Sequence, residues 1–341
     1  MQQHDSRLQQ GANAQYLRPY KLAGLQALLT AGGNYHDNQI NVGLSRTEAR
    51  APFEAVTGAH GRVTNGGLYV QHALELMHGH LRVEGGLRLD YFRFDVDDRL
   101  SPALSGRHGA ALLQPKLSVA FTPADKLPAT IYLNYGRGIS SQDARGVVRD
   151  PSAPKVSTTD FYQLGTAHNL SRFSLSADLF LIERSHEQTY VPDDGSFEFK
   201  GRSRSYGFEA RASARLTRHL AFNGGFTKVG NAFFRGTTPR VYVDAAPHRV
   251  ANAALTLSRL EGFSASLGYR HVGGYRLDGE DARPRAAGLD VLDFSLTKRI
   301  TRALDFNLSA DNLTNKRYYE TQNYFESRTR PGDPAAPRVH G

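Results

Sequence analysis

Residues 303–312 read Ala-Leu-Asp-Phe-Asn-Leu-Ser-Ala-Asp-Asn. Leu304, Phe306, Leu308 and Ala310 fall on one parity, and Asp305, Asn307, Ser309 and Asp311 on the other. Side chains alternate across a strand with period two, so this segment is a strand with one apolar and one polar face. The pattern recurs. Phe263, Ala265, Leu267 and Tyr269 oppose Ser264, Ser266, Gly268 and Arg270. Leu81, Val83, Leu87 and Leu89 oppose Arg82, Glu84, Arg88 and Asp90. Tyr206, Phe208, Ala210, Ala212 and Ala214 oppose Gly207, Glu209, Arg211, Ser213 and Arg215. Phe173, Leu175, Ala177, Leu179 and Leu181 oppose Ser174, Ser176 and Asp178, with Phe180 and Ile182 breaking the polar side.

About fourteen strands follow from this pattern, arranged as seven hairpins. They are 16–29 with 38–47, 67–77 with 80–95, 112–121 with 129–136, 160–169 with 173–184, 204–215 with 219–229, 248–258 with 262–271 and 289–299 with 303–312. Short turns fall near 32–37, His78-Gly79, 123–126, Ser171-Arg172, Thr217-Arg218, 260–262 and Thr301-Arg302. Long links lie at 95–111, 137–159, 185–203, 230–247, 272–288 and from 313 onward. They carry the Gly, Pro, Asp and Arg of surface loops. Tight turns on one side and long loops on the other mark an antiparallel up-and-down transmembrane β-barrel, wet inside and lipid-facing outside. The spacing of the turns also fits a propeller, but the chain has no Trp and each repeat holds two long strands rather than four short ones.

Composition agrees. Mean hydropathy is only −0.47, and no apolar run reaches the length of a transmembrane helix. A barrel escapes that test because every second residue is polar. With no Cys, disulfides and thiolate metal sites are excluded. The net charge of +9 would suit nucleic acid in a soluble protein. Here Arg is scattered with no basic run, so no nucleic-acid partner is expected. The charge reads as lumen and loop charge, or as attraction of an anionic ligand or of lipopolysaccharide phosphates.

The start, Met1-Gln2-Gln3-His4-Asp5, lacks the basic and apolar regions of a signal peptide. Bacterial barrels start and end in the periplasm. Strand 16–29 begins outside and strand 303–312 ends outside, so each end is expected to lack a partner strand. Prolines in Pro331-Gly332-Asp333-Pro334-Ala335-Ala336-Pro337 argue against a strand there. An open sheet with 16–29 and 303–312 at its edges is the expectation. Pairing of those two strands with each other would instead indicate a complete 14-stranded passive channel.

Asn312-Leu313-Thr314-Asn315-Lys316-Arg317-Tyr318-Tyr319 resembles the penultimate-strand signature of TonB-dependent outer-membrane receptors, with Thr314 and Asn315 departing from its commonest residues. Tyr206-Gly207-Phe208-Glu209 resembles the family's Gly-x-Glu strand start, and Ala246-Pro247-His248-Arg249 its Pro-x-His strand entry. The strand 173–184, ending Leu179-Phe180-Leu181-Ile182-Glu183-Arg184, is also similar to one of the family's. The resemblance runs from Tyr16 to Phe325. It implies a 22-stranded barrel plugged by an N-terminal domain and importing ferric siderophores, cobalamin or other scarce nutrients through TonB. On that reading residues 1–341 are a partial barrel. The plug, TonB box, signal peptide and final strand lie outside it, and coupling to TonB runs through the part not present. The parent protein would sit in the bacterial outer membrane, with a ferric siderophore as the foremost ligand.

Several local motifs have bland readings. His78-Gly79-His80 is a possible metal pair at a turn with no carboxylate beside it. His36-Asp37 also falls in a turn. Gly136-Arg137-Gly138 lacks the helix a phosphate loop requires. Asp193-Asp194-Gly195 lacks the later Glu of a calcium loop. No Ser/His/Asp arrangement stands out, so neither an enzyme nor a cofactor is expected. The candidates for ligand contact are loop-borne: Phe233, Phe234 and Arg235; Tyr275 and Arg276; Tyr324 and Phe325 with Arg328. Siderophores are anionic and often aromatic, and guanidinium and aromatic groups suit them by charge and stacking. The same rings also suit an interfacial girdle.

Overall fold

The computed structural model describes residues 2–123, 129–150, 152, 154–191, 196–327 and 336–340. The first eight strands are β1 (Gln2–Leu22), β2 (Leu25–Glu48), β3 (Ala51–Leu76), β4 (Leu81–Asp98), β5 (Gly106–Phe121), β6 (Ala129–Ser141), β7 (Val156–Asn169) and β8 (Phe173–Arg184). Helix α1 (Ala144–Arg149) lies between β6 and β7. Then come β9 (Glu187–Val191), β10 (Ser196–Lys200), β11 (Ser203–Arg215), β12 (Leu220–Phe234), β13 (Arg249–Leu260) and β14 (Phe263–Val272). The last are β15 (Tyr275–Arg276), β16 (Arg285–Ala286), β17 (Leu289–Arg299), β18 (Asp305–Ala310), β19 (Asn323–Ser327) and β20 (Ala336–His340).

Fourteen strands form one antiparallel sheet in the order β1 to β8, β11 to β14, β17, β18. Each strand pairs with the next, as an up-and-down barrel wall requires. The sheet is open. Among the described residues β1 and β18 are its edges and do not pair with each other, whereas a passive channel needed them paired.

Register carries the alternation around the sheet. Leu133, Leu164, Leu179 and Phe208 line up in one cross-strand row, as do Leu68, Leu89 and Leu113. These residues are exposed, with Leu68 at 71% and Leu179 at 60%. A continuous apolar face exposed on the outside is the lipid-facing band of a membrane barrel. The opposite face carries polar networks. Asp90, 2% exposed, accepts from Arg88 Nε at 2.6 Å, Gln114 Nε2 at 2.6 Å and Asn65 Nδ2 at 3.1 Å. Further round, Ser118, Asn134, Gln163, Asp178 and Tyr132 form one hydrogen-bonded chain across four strands. Sharing donors in this way offsets the cost of burying each carboxylate.

The first hairpin differs from the expectation. The segment 32–37 is not a turn; β2 runs straight through it. The chain reverses at Ala23 and Gly24, whose φ of 50° and 85° are the left-handed values a tight reversal uses. Gly32 serves a close approach instead, because a Cβ there would lie 2.5 Å from the Tyr69 hydroxyl. The stretch between 47 and 67, assigned to neither a strand nor a long link, is also strand. β2 and β3 continue to a two-residue turn at Ala49 and Arg50, both of positive φ. At about 3.3 Å per residue the 26 residues of β3 reach about 85 Å, far beyond the 9–11 that cross a membrane.

The other links also hold structure. β9 pairs with β10, and β15 with β16, in hairpins within two long links. In the tail, 331–335 lie outside the described residues, but Ala336–His340 forms β20 against β19, with Pro337 opposite Glu326. The expectation that prolines exclude a strand fails for this part. A two-stranded hairpin consists only of edges, where a missing N–H donor is tolerated. The Asn312 turn is stapled to β17: Asn312 N donates to Asp293 Oδ1 at 2.9 Å, and Leu313 N to the Leu292 carbonyl at 2.7 Å.

The inner wall is not polar throughout. Phe92, Phe94 and Val96 occupy the inward parity of β4 and pack against Ala144, Val147 and Val148 of α1. Phe94 is fully buried. Asp143 caps the helix, its carboxylate accepting from Arg145 N at 2.9 Å. The link between β6 and β7 thus folds onto the sheet and supplies a small apolar core.

Candidate ligand-binding surface

β12 outruns its partner β13. β13 pairs no further along it than Lys228, while β12 continues to Phe234. Its free edge is taken up by the loop that follows. Phe234 N donates to the Val241 carbonyl at 2.8 Å, Val243 N donates to the Ala232 carbonyl at 3.1 Å, and Phe233 bridges to Tyr242. The loop then meets the β15–β16 hairpin. Tyr242 N donates to the Gly279 carbonyl at 3.0 Å, and Ala245 N to the Arg276 carbonyl at 3.1 Å. The end of β12, the loop that follows it and the more distant β15–β16 hairpin therefore lie side by side at the long-loop end.

On this frame cations sit on rings. Arg240 Cζ lies 4.6 Å from the Phe233 centroid, and Arg276 Cζ 4.4 Å from the Tyr242 centroid. Both distances are within the range of a cation–π contact. Among the described residues neither guanidinium has an ion pair. Lys200 Nζ lies 5.8 Å from the Phe234 centroid but is paired with Asp244. Beneath, Tyr275, Leu277 and Ala286 form a buried cluster packed by Ala245, Val272 and Tyr324. The Tyr275 hydroxyl accepts from Gln322 N at 3.4 Å. His248 is pushed below the usual histidine range, first by burial and then by the positive charge of Arg276 and Arg285. Burial is the larger cause, and the two guanidiniums add to it.

The expected contact residues thus divide. Phe233, Arg276 and, through the buried cluster, Tyr275 and Tyr324 come together. Phe234 and Tyr275 are buried and support the frame. Arg235 engages Glu183 instead, Nη1 to Oε1 at 3.2 Å. Phe325 pairs with Arg338 through β19 and β20, and Arg328 lies outside the described residues. Arg240 and Tyr242 were missed. Their signal was the strand-like run Arg240-Val241-Tyr242-Val243 inside a segment read as open loop. At the short-turn end, His80 Nδ1 contacts the Thr122 carbonyl at 2.9 Å, and His78 stands in the turn with φ 59°. No cluster of three metal-ligating groups occurs among the described residues. Asp193, Asp194 and Gly195 lie outside them.

Residues 2–313 match the family model described as TonB dependent receptor-like, beta-barrel. The catecholate siderophore receptor Fiu of Escherichia coli K12 is 26% identical over 90% of this chain and 44% of its own length. The crystal structure of Fiu, the ferric-catecholate import receptor from K12 E. coli, in its closed form, superposes with a TM-score of 0.73 at 18% identity. That match covers 92% of this chain and 51% of the other. The copper transporter OprC superposes with a TM-score of 0.75 at 17% identity, covering 94% and 54%. The two solved structures differ in their stated cargo, so the likeness to them is one of fold. The chain spans about half the length of these relatives. The family match covers nearly the whole chain, and the chain belongs to the β-barrel family of TonB-dependent receptors.

Proposed function

We propose that this chain forms the wall of an outer-membrane receptor for uptake of a ferric siderophore of catecholate type. Its homologues are outer-membrane TonB-dependent receptors, and the role is transport rather than catalysis. The long links face the outside of the cell, the outer face contacts lipid and lipopolysaccharide, and uptake is powered through TonB. One observation carries the ligand class. Arg240 and Arg276 lie on the faces of Phe233 and Tyr242 with no carboxylate partner among the described residues. A guanidinium that reaches solvent over a half-buried ring suits a ligand that is both anionic and aromatic. The 26% identity to a catecholate siderophore receptor supports the same class.

The test is fluorescence quenching by a ferric tris-catecholate and, in parallel, by a neutral ferric hydroxamate. Wild type is expected to prefer the catecholate. The double variant Tyr242→Ala, Arg276→Ala is expected to weaken catecholate binding by about five- to thirtyfold, since a cation–π contact and a charge-assisted bond together reach about 1–2 kcal/mol. Equal affinity for both ligands, or an unchanged variant, would rule out this surface.

A further inference from the structure

The β15–β16 hairpin sets two arginines against each other. Tyr275 pairs with Ala286, and Arg276 with Arg285. Tyr275 and Ala286 are buried on one face of this ladder, in the cluster with Leu277. Arg276 and Arg285 therefore share the other face. Like charges directly opposite in a ladder destabilise it. The carboxylates of the same loops do not relieve the pair. Asp244 takes Lys200 and, at 2.7 Å, Gly279 N. Asp281 holds Arg283 at 2.6 Å. Asp278 accepts from Glu280 N at 2.7 Å and from Asp281 N at 3.1 Å, and Glu280 itself is exposed. Among the described residues neither Arg276 nor Arg285 has an ion pair.

His248 is a third basic group against the same pair. Arg249 pairs with Lys228, and Lys228 with Phe208 of the apolar outer row. His248, one residue before Arg249, falls on the opposite, inward parity. Its carbonyl accepts from Val229 N at 3.0 Å, which ties its segment to β12. The charges that act on its ring are Arg276 from β15 and Arg285 from β16, and with burial they disfavour the imidazolium. Arg249 and Lys228, on the outer parity, add only positive charge. A half-buried neutral imidazole beside two guanidiniums is a site waiting for a negative group. An oxyanion held between the guanidiniums offsets their field, favours the imidazolium and gains a third charged donor from it.

We propose that Arg276, Arg285 and His248 form an oxyanion subsite, and that capture of the anion is accompanied by uptake of a proton at His248. The proton comes from solvent and goes to the free ring nitrogen, so a neutral imidazole and an anion become an imidazolium–anion pair with no bond of the anion broken. The bound state holds more protons than the empty one, so affinity for the anion rises as pH falls. Arg276 also lies on the Tyr242 ring, which places the subsite beside the aromatic part of the surface. For its natural ligand the inference rests on the reading under Proposed function; the subsite and its proton do not depend on that ligand being a catecholate.

The test is NMR on the protein in detergent with its histidine rings labelled, the His248 signal being the one lost in His248→Gln. Its pH titration is followed without anion, with inorganic sulfate, and with a gallium tris-catecholate as the diamagnetic stand-in for the ferric complex. Sulfate stays a dianion over the range and takes up no proton itself. It is expected to move the His248 midpoint upward and to leave that of His219, at the short-turn end, in place. By linkage, sulfate is expected to bind about fivefold more tightly at about pH 6 than at about pH 8. These readings are made on wild type and do not depend on a variant folding. Arg285→Gln is expected to weaken sulfate binding by about fivefold. Arg218→Gln removes the same charge at the short-turn rim and is expected to leave it unchanged. A His248 midpoint indifferent to sulfate, an equal move at His219, or a sulfate affinity indifferent to pH would overturn the proposal. Sulfate acting as expected while the gallium complex fails to bind would overturn the catecholate reading alone.

Discussion

Asp90 shows how a carboxylate persists inside this wall. It is covered by the side chains that donate to it, and Arg88 spends two donors on it. Replacing Asp90 by Ala leaves Arg88, Asn65 and Gln114 with unmet donors, and destabilisation by about 3 kcal/mol is expected in urea titrations in detergent. A smaller loss would mean that water replaces the carboxylate. Parity gives a second test. Leu308 faces Leu296 on the exposed apolar side, whereas Asn307 accepts from Thr297 Oγ1 at 2.9 Å on the other. Leu308→Arg is expected to cost about 2–4 kcal/mol if it lies near mid-membrane, and Asn307→Arg little. Equal costs would refute the assignment of faces. These two residues were legible in the sequence because period-two alternation leaves no choice of side. Gly32 and Gly33 were not. Glycine marks both turns and close backbone approach, and only distant neighbours, the Tyr69 hydroxyl over Gly32 and the Leu68 side chain over Gly33, distinguish them.

At the scale of elements, the long-loop segments are more ordered than their composition suggested. Helix α1 could not be read from Ala144-Arg145-Gly146-Val147-Val148-Arg149, which is too short for a helical period and carries Gly. Its anchor, Phe94, comes from a distant strand. Phe94→Ala is expected to cost about 3–5 kcal/mol locally. The sign would be early proteolytic cleavage near α1, with the rest of the sheet still protected; cleavage unchanged from wild type would show that Phe94 does not anchor the helix. The loop ending at His248 should respond to pH. Its folded value is depressed, so the folded loop binds fewer protons than the unfolded one. Its contribution is therefore present above the ordinary histidine value of about 6.5 and is lost as pH falls through the lower folded value. Hydrogen exchange in 235–248 is expected to speed up on acidification, after correction for intrinsic rates. A His248→Gln variant is expected to show no such dependence, and a wild-type loop indifferent to pH would remove His248 as the cause.

The whole molecule is one sheet whose neighbours in space are neighbours in sequence. Strand count and the short-turn side were therefore legible, apart from the first hairpin. What could not be read was how the links pack on one another, because contacts such as Arg276 on Tyr242 repeat with no period. Openness has its own test. Alternate amides of β1 and β18 have no ladder partner among the described residues and are expected to exchange far faster than those of β8 or β11, which pair on both sides. Uniform protection would show that something else covers the edges. The β2–β3 hairpin, finally, has mechanical consequences. Past Tyr35, β2 runs 13 more residues, about 40 Å along the strand. Its ladder is regular until it slips between Leu44 and Ser45 and again between Arg46 and Thr47. Such irregularities bend a ribbon locally. The structure is thus a stiff rod with a hinged tip. A force probe lowered onto Ala49 and Arg50 should meet a soft first few residues and then a steep rise in resistance.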